Sequence, residues 1–167
     1  MKNRELWQAG VPASLPLLCP AVSRHRILVV DEDSDLRLLY ADALARPGYH
    51  VDAAENGAAA WEALQANYYN LLITEHDMPG LTGVELVRKL RSARMALPVV
   101  MAAGRLPTHE LARNPSLGLA ATLLKPFAVE VLLDTVRNVL RATDTPCELI
   151  APPPSWRGQP APVGLRL

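Results

Sequence analysis

A chain of 167 residues, half of them apolar, can bury one hydrophobic core and leaves room for tails around it. Seventeen basic residues offset seventeen acidic ones, so no overall field draws the chain to nucleic acid or to an anionic membrane surface. The two cysteines, Cys19 and Cys147, stand near opposite ends, which argues against a disulfide scaffold or a cysteine metal cluster and for a reducing cytoplasm.

The opening "MKNRELWQAGVPASLPLLCPAV" starts basic and turns apolar, but Pro12, Pro16 and Pro20 interrupt it and Glu5 falls early. It is not expected to act as a signal peptide. "LPLLC" has Leu18 where a lipoprotein cleavage box needs a small residue, and no other run reaches the roughly 18 apolar residues of a membrane span. Nine of the fifteen prolines lie outside residues 24–143, so residues 1–24 and 143–167 are expected to be disordered tails around a domain at 25–142. "PPPSW" in the second tail has the composition of a solvated polyproline segment.

Within the domain the elements follow one another closely. "RILVV" (Arg26 to Val30) reads as a buried strand, and Ser34 is expected to cap a helix with Leu36, Leu39, Tyr40, Ala43 and Leu44 on one face, ended by Pro47-Gly48. "YHVDAA" is a weaker strand before "NGAAAWEALQAN", where Asn56 is placed to cap and Trp61 and Leu64 give an apolar side. "NLLIT" is the third strand, followed by the helix "GVELVRKLRSA" with Leu86, Val87 and Leu90 inward. "LPVVMAA" is the fourth, "THELARN" a short helix cut at Pro115, "LAATLL" the fifth strand and "AVEVLLDTVRNVLRA" a long last helix. Five strands alternating with five helices, several strands apolar throughout, imply a doubly wound parallel α/β sheet covered on both faces.

In such a sheet the functional crevice lies at the carboxyl ends of the strands. Those ends carry Asp31, Glu32 and Asp33, then Glu75, then Ala103 and Gly104, then Lys125-Pro126. Acids from two strands and a lysine from a third suit a hard cation such as Mg²⁺ and a phosphoryl oxygen or carboxylate opposite it. Taken singly, each has the bland reading of a solvated loop residue; their joint placement favours an organised site.

The motifs "ILVVDEDSDLR", "LLITEHDMPGLTGVEL", "LPVVMAAG" and "TLLKPF" together resemble the receiver domain of two-component response regulators, with the flavodoxin-like (βα)5 fold of the chemotaxis response regulator. The likeness runs from about Arg24 to Ala142. It implies that Asp31 and Glu32 match the acid pair that holds Mg²⁺, with the Asp77 backbone carbonyl as a main-chain ligand. Lys125 matches the lysine that contacts the phosphoryl group, and Pro126 the proline of a cis step. Asp33 has no ligand role in this scheme and reads as a solvated or helix-capping acid.

Three positions depart from the pattern. Glu75 stands where the family has its phosphoaccepting aspartate, and would be a metal ligand as well. Ala103 stands where a Thr or Ser hydroxyl would hold the phosphoryl group, and Thr122 where a switch aromatic would lie. Glutamate keeps the charge but moves the carboxylate out by a methylene, and misplacement by about an ångström can cost on the order of 10²-fold in phosphoryl transfer. Glu75 either imitates the charge of a phosphorylated aspartate or marks a site no longer used.

The expected function is therefore a stand-alone receiver-like module of phosphorelay signalling that is not an enzyme, binds Mg²⁺ weakly and works through protein contacts independent of phosphorylation. The partners implied by the resemblance are a histidine kinase or an output protein docking on the face of the fourth helix, fifth strand and fifth helix. One alternative is a receiver that still accepts a phosphoryl group weakly on Glu75. Another is a haloacid-dehalogenase-like phosphatase, since "ILVVDEDS" fits its opening motif with Asp31 as nucleophile and Asp33 as acid-base. Neither the late acidic motif nor room for a cap domain accompanies it. His76 is expected at the site mouth without a metal role, and His109 on an exposed helix.

Overall fold

A strand with no polar face must be covered on both sides, and the computed structural model, which describes residues 25–144, places the most apolar runs at the centre of one parallel sheet. β1 (Arg26–Val30), β3 (Leu71–Thr74) and β4 (Val99–Ala103) are buried at nearly every position, whereas β2 (His50–Ala54) and β5 (Ala121–Leu124), partly exposed, form the edges. The order is β2-β1-β3-β4-β5. Register sets the strand ends level: Val30 lies beside Thr74, Thr74 beside Met101, and Ala103 beside Leu124.

Alternation along these strands divides the core in two. Leu28, Val30, Leu72, Val99 and Met101 face α2 (Gly57–Ala66) and α3 (Gly83–Ser92), whose Leu64, Leu86 and Leu90 close that side. Ile27, Val29, Ile73, Val100 and Leu123 face α1 (Ser34–Ala45) and α5 (Val129–Thr143), with Tyr40, Leu44, Leu132 and Val136 against them. α4 (Thr108–Arg113) is only six residues long and buries none of them; a 3₁₀ turn at Pro115–Leu117 follows.

Local chemistry fixes the helix starts. Asp33, not Ser34, caps α1: its carboxylate accepts from the N–H groups of Asp35 and Leu36, and Ser34 is the first helical residue. Leu39, expected inward, is 46 % exposed, because Leu36, Tyr40, Ala43 and Leu44 already fill the face toward the sheet. Asn56 caps α2 as its position implies, and Thr82 and Glu85 form a reciprocal capping box at α3. The Thr82 hydrogen bonds hold the exposed Glu85 carboxyl below its ordinary value.

α5 continues one residue past Ala142, and Asp144 at its end meets His25 across 2.8 Å, joining the two borders of the domain. No helix among the described residues is long and apolar enough to cross a membrane. The tails, Cys19, Cys147 and "PPPSW" lie outside the described residues.

Candidate functional site

β1 and β3 are neighbours, so the residues that follow them emerge side by side; β5, two strands away, reaches back with a long side chain. Asp31 and Glu75 are buried at the carboxyl edge, and the Lys125 ammonium sits between them, 2.6 Å from Asp31 Oδ2 and 2.5 Å from Glu75 Oε2. The side chains of Asp31, Glu75 and Lys125 are 4 %, 7 % and 15 % exposed, so the three charges interact with little help from water. Burial alone would push the Lys125 pKa down, but the hydrogen bonds and charges of the two carboxylates outweigh it, and the pKa stands above the ordinary lysine value.

The remaining carboxylate oxygens are also occupied. Asp31 Oδ1 accepts from the Asp33 N–H at 3.0 Å, and Glu75 Oε1 accepts from the N–H groups of His76 at 2.7 Å and Asp77 at 3.3 Å. Backbone bonds tie the site to its strands: the Glu75 N–H donates to the Val30 carbonyl and the Lys125 N–H to that of Ala103, each at 2.9 Å. Lys125-Pro126 is a cis peptide.

The turn after Glu75 explains its two glycines. Gly80 adopts φ 79°, a left-handed conformation that favours glycine. Gly83 opens α3 against the backbone of Glu75, where an added Cβ would come within 2.2 Å of the Glu75 carbonyl oxygen. The M-P-G-x-x-G spacing thus lays the start of α3 directly on Glu75.

Of the residues singled out in the sequence, Asp31, Glu75 and Lys125 come together. Glu32 does not join them: it is exposed, and the Arg37 guanidinium donates to the carbonyls of both Asp31 and Glu32. Asp77 gives an N–H to Glu75 while its carboxylate is 69 % exposed, 3.8 Å from His76 Nε2. His76 is mostly buried, and its Nδ1 has no hydrogen-bond partner among the described residues. Ala103 is fully buried and offers only a methyl group; Thr122 lies exposed on β5. His109 is exposed on α4.

Receiver domains generally bind Mg²⁺ at this acidic site; as arranged, Asp31 and Glu75 share the Lys125 ammonium as their counter-charge. All four oxygens of Asp31 and Glu75 already have donors, and no three His, Cys, Asp or Glu side chains among the described residues are gathered so as to hold a metal. Reading from the sequence found the charged side chains but missed the amides of His76 and Asp77; glycine at Gly80 and Gly83, which bends the chain back over Glu75, was the available signal.

A β2-β1-β3-β4-β5 sheet with acids after β1 and β3 and a lysine after β5 defines a receiver-type domain. The chain belongs to the response regulator receiver domain family of two-component signalling, whose model matches residues 27–137. It is 34% identical over 120 residues to the response regulator receiver protein CpdR of Brucella abortus, covering 70% of this chain and 98% of that protein. It is 35% identical over 123 residues to the chemotaxis protein CheY1 of Helicobacter pylori, covering 71% and 99%. It also matches the much longer sensor protein EvgS of Escherichia coli, of which it spans only 11%. Among solved structures, the chemotaxis response regulator CheY4 of Vibrio cholerae superposes with TM-score 0.64 at 28% identity, covering 70% of this chain and 99% of that one. TrrA of Thermotoga maritima, solved in complex with Mg(2+)-BeF, gives 0.62 at 28% identity, covering 69% and 98%.

Proposed function

We propose that this chain serves two-component signalling as a cytoplasmic interaction module that neither accepts a phosphoryl group nor catalyses a reaction. One observation carries the reading: the Glu75 carboxylate is engaged at both oxygens, one by Lys125 and one by the amides of His76 and Asp77. An incoming phosphoryl group would need a free nucleophile and those same donors for its own oxygens. Ala103 supplies no hydroxyl in their place.

The output surface proposed is that of α4, β5 and α5, and the partner a histidine kinase or an output protein. β5 turns Leu123 toward α5, so Thr122 and Leu124 project to the side of α4, which is too short to cover them; Leu124 is 57 % exposed and Val131 on α5 45 %. Ala103 offers no hydroxyl to be drawn inward, and Thr122 no aromatic to follow it. A single dominant conformation presented to the partner is the consequence.

The phosphatase alternative fares poorly on geometry, because the Asp33 carboxylate caps α1 and Asp31 is held by Lys125. Incubation with acetyl phosphate and Mg²⁺ tests the proposal by intact mass. The wild type should keep its mass, Glu75→Asp should gain a labile phosphoryl group slowly, and Glu75→Asp combined with Ala103→Thr faster. Robust labelling of the wild type at Glu75 would restore an ordinary relay role.

A further inference from the structure

We propose that Lys125 is the resident cation of this site, and that its ammonium supplies the charge balance a divalent ion would otherwise provide, so that the domain holds its site together without Mg²⁺. The inference rests on the reading of Glu75 given above and extends it to the metal.

Two carboxylates buried this deeply require a counter-charge, and the one at hand reaches both of them with short contacts. A Mg²⁺ ion demands near-octahedral oxygen ligands and gives up its waters reluctantly. To bind at Asp31 and Glu75 it would have to compete with an ammonium that already neutralises part of their charge. The third acid that would compensate for that loss, Glu32, is exposed to water.

The length of Glu75 makes the closure complete. Its Oε2 reaches Lys125 while its Oε1 stays on the amides of its own turn, and a carboxylate one methylene shorter would reach less far toward Lys125. The same substitution that displaces the nucleophile therefore seals the cation site. The chemistry predicts a reciprocal effect: with the ammonium removed, Asp31 and Glu75 face each other uncompensated and should recruit a divalent ion to the vacated position.

The full chain is titrated with MgCl₂ to tens of millimolar, against NaCl of matched ionic strength, while amide chemical shifts and thermal unfolding are followed. The wild type should show no saturable shift at Asp31, Glu32, Glu75 or Asp77 and no change in Tm beyond that of the salt control. Lys125→Met should melt lower and regain part of the loss with Mg²⁺ but not with NaCl, since a ligand that binds only the folded state raises its stability. If Lys125→Met folds only when Mg²⁺ is present, the proposal is equally supported. Glu75→Gln, which leaves the ammonium one buried carboxylate, should remain indifferent to Mg²⁺.

Saturable Mg²⁺-dependent shifts at these residues in the wild type would overturn the proposal, as would a folded Lys125→Met that ignores Mg²⁺. If Lys125→Met does not fold under any condition, the wild-type titration decides alone. Mg²⁺ binding by a wild type that still resists acetyl phosphate would remove the resident cation and leave the phosphorylation-independent reading standing. Labelling of the wild type would remove that reading whatever the titration gave.

Discussion

The sheet carries a cation between oxygen acceptors at each end, and the two arrangements differ mainly in water. At the amino end, Arg26 pairs with Asp52 at 2.7 Å with both side chains about two-fifths exposed, and Tyr69 donates to the same carboxylate at 2.7 Å. At the carboxyl end, Lys125 holds two carboxylates, both almost fully buried. A half-solvated pair of the first kind contributes about 0–1 kcal/mol and is an ordinary way to finish a strand edge. A buried cluster of the second kind costs desolvation that hydrophobic residues would avoid. On the function proposed above, a domain with Ala103 and Thr122 at the switch positions keeps this cluster for shape and charge rather than for turnover.

The sharpest way to break this contrast is to remove each cation in turn. Lys125→Met strands two buried carboxylates and should lower the free energy of unfolding in urea by about 3–5 kcal/mol, the cost of breaking a buried pair. A loss under about 1 kcal/mol would mean that the carboxyl-end cluster is as solvated as the other.

Alkaline titration separates the ends by sign and range. Lys125 stands above its ordinary pKa in the folded state, so its contribution is fully present below the ordinary lysine value and is lost as pH rises through the folded one. Tyr69 is pushed up to about 12 by burial, then by its hydrogen bond to Asp52 and that charge, and follows the same rule from the ordinary tyrosine value upward. Stability measured from pH 9 to about 12 should therefore fall in the wild type. Tyr69→Phe should remove the amino-end share of that fall, leaving the share that depends on Lys125. The smallest effect belongs to Arg26→Gln, which should cost no more than about 1 kcal/mol by the same urea measurement, given the exposure of both partners.

The sequence carried much of this because apolar runs such as "ILVV" and "LLIT" have one stable home, the middle of a covered sheet, and their ends then converge. The helix faces were less legible. Leu39 fits the helical period as well as Tyr40 does, and only the assembled packing shows which of them the sheet has room for. Capping was ambiguous for a local reason: Asp33 and Ser34 are both good caps, and the one-residue choice depends on where the chain leaves β1. At the site, Glu75 and Lys125 were legible as charges at the carboxyl ends of β3 and β5. That Lys125 would bridge to Asp31, and that Glu75 would fold back on the amides of His76 and Asp77, depends on side-chain reach within a buried corner, which residue spacing does not encode. Glu32 shows the same limit in reverse, since adjacency to Asp31 in the chain gave no sign that it would face water.

The central claim is that the donors which would receive a phosphoryl group are already taken by Glu75. It is tested most directly by titrating the wild type and Glu75→Asp with beryllofluoride and Mg²⁺ while following the backbone amide spectrum. The wild type should show no saturable shift at His76, Asp77, Ala103 or Lys125, and Glu75→Asp should show one at each. Saturable shifts of the same residues in the wild type would mean that the site is open to a phosphoryl group, and would contradict the account.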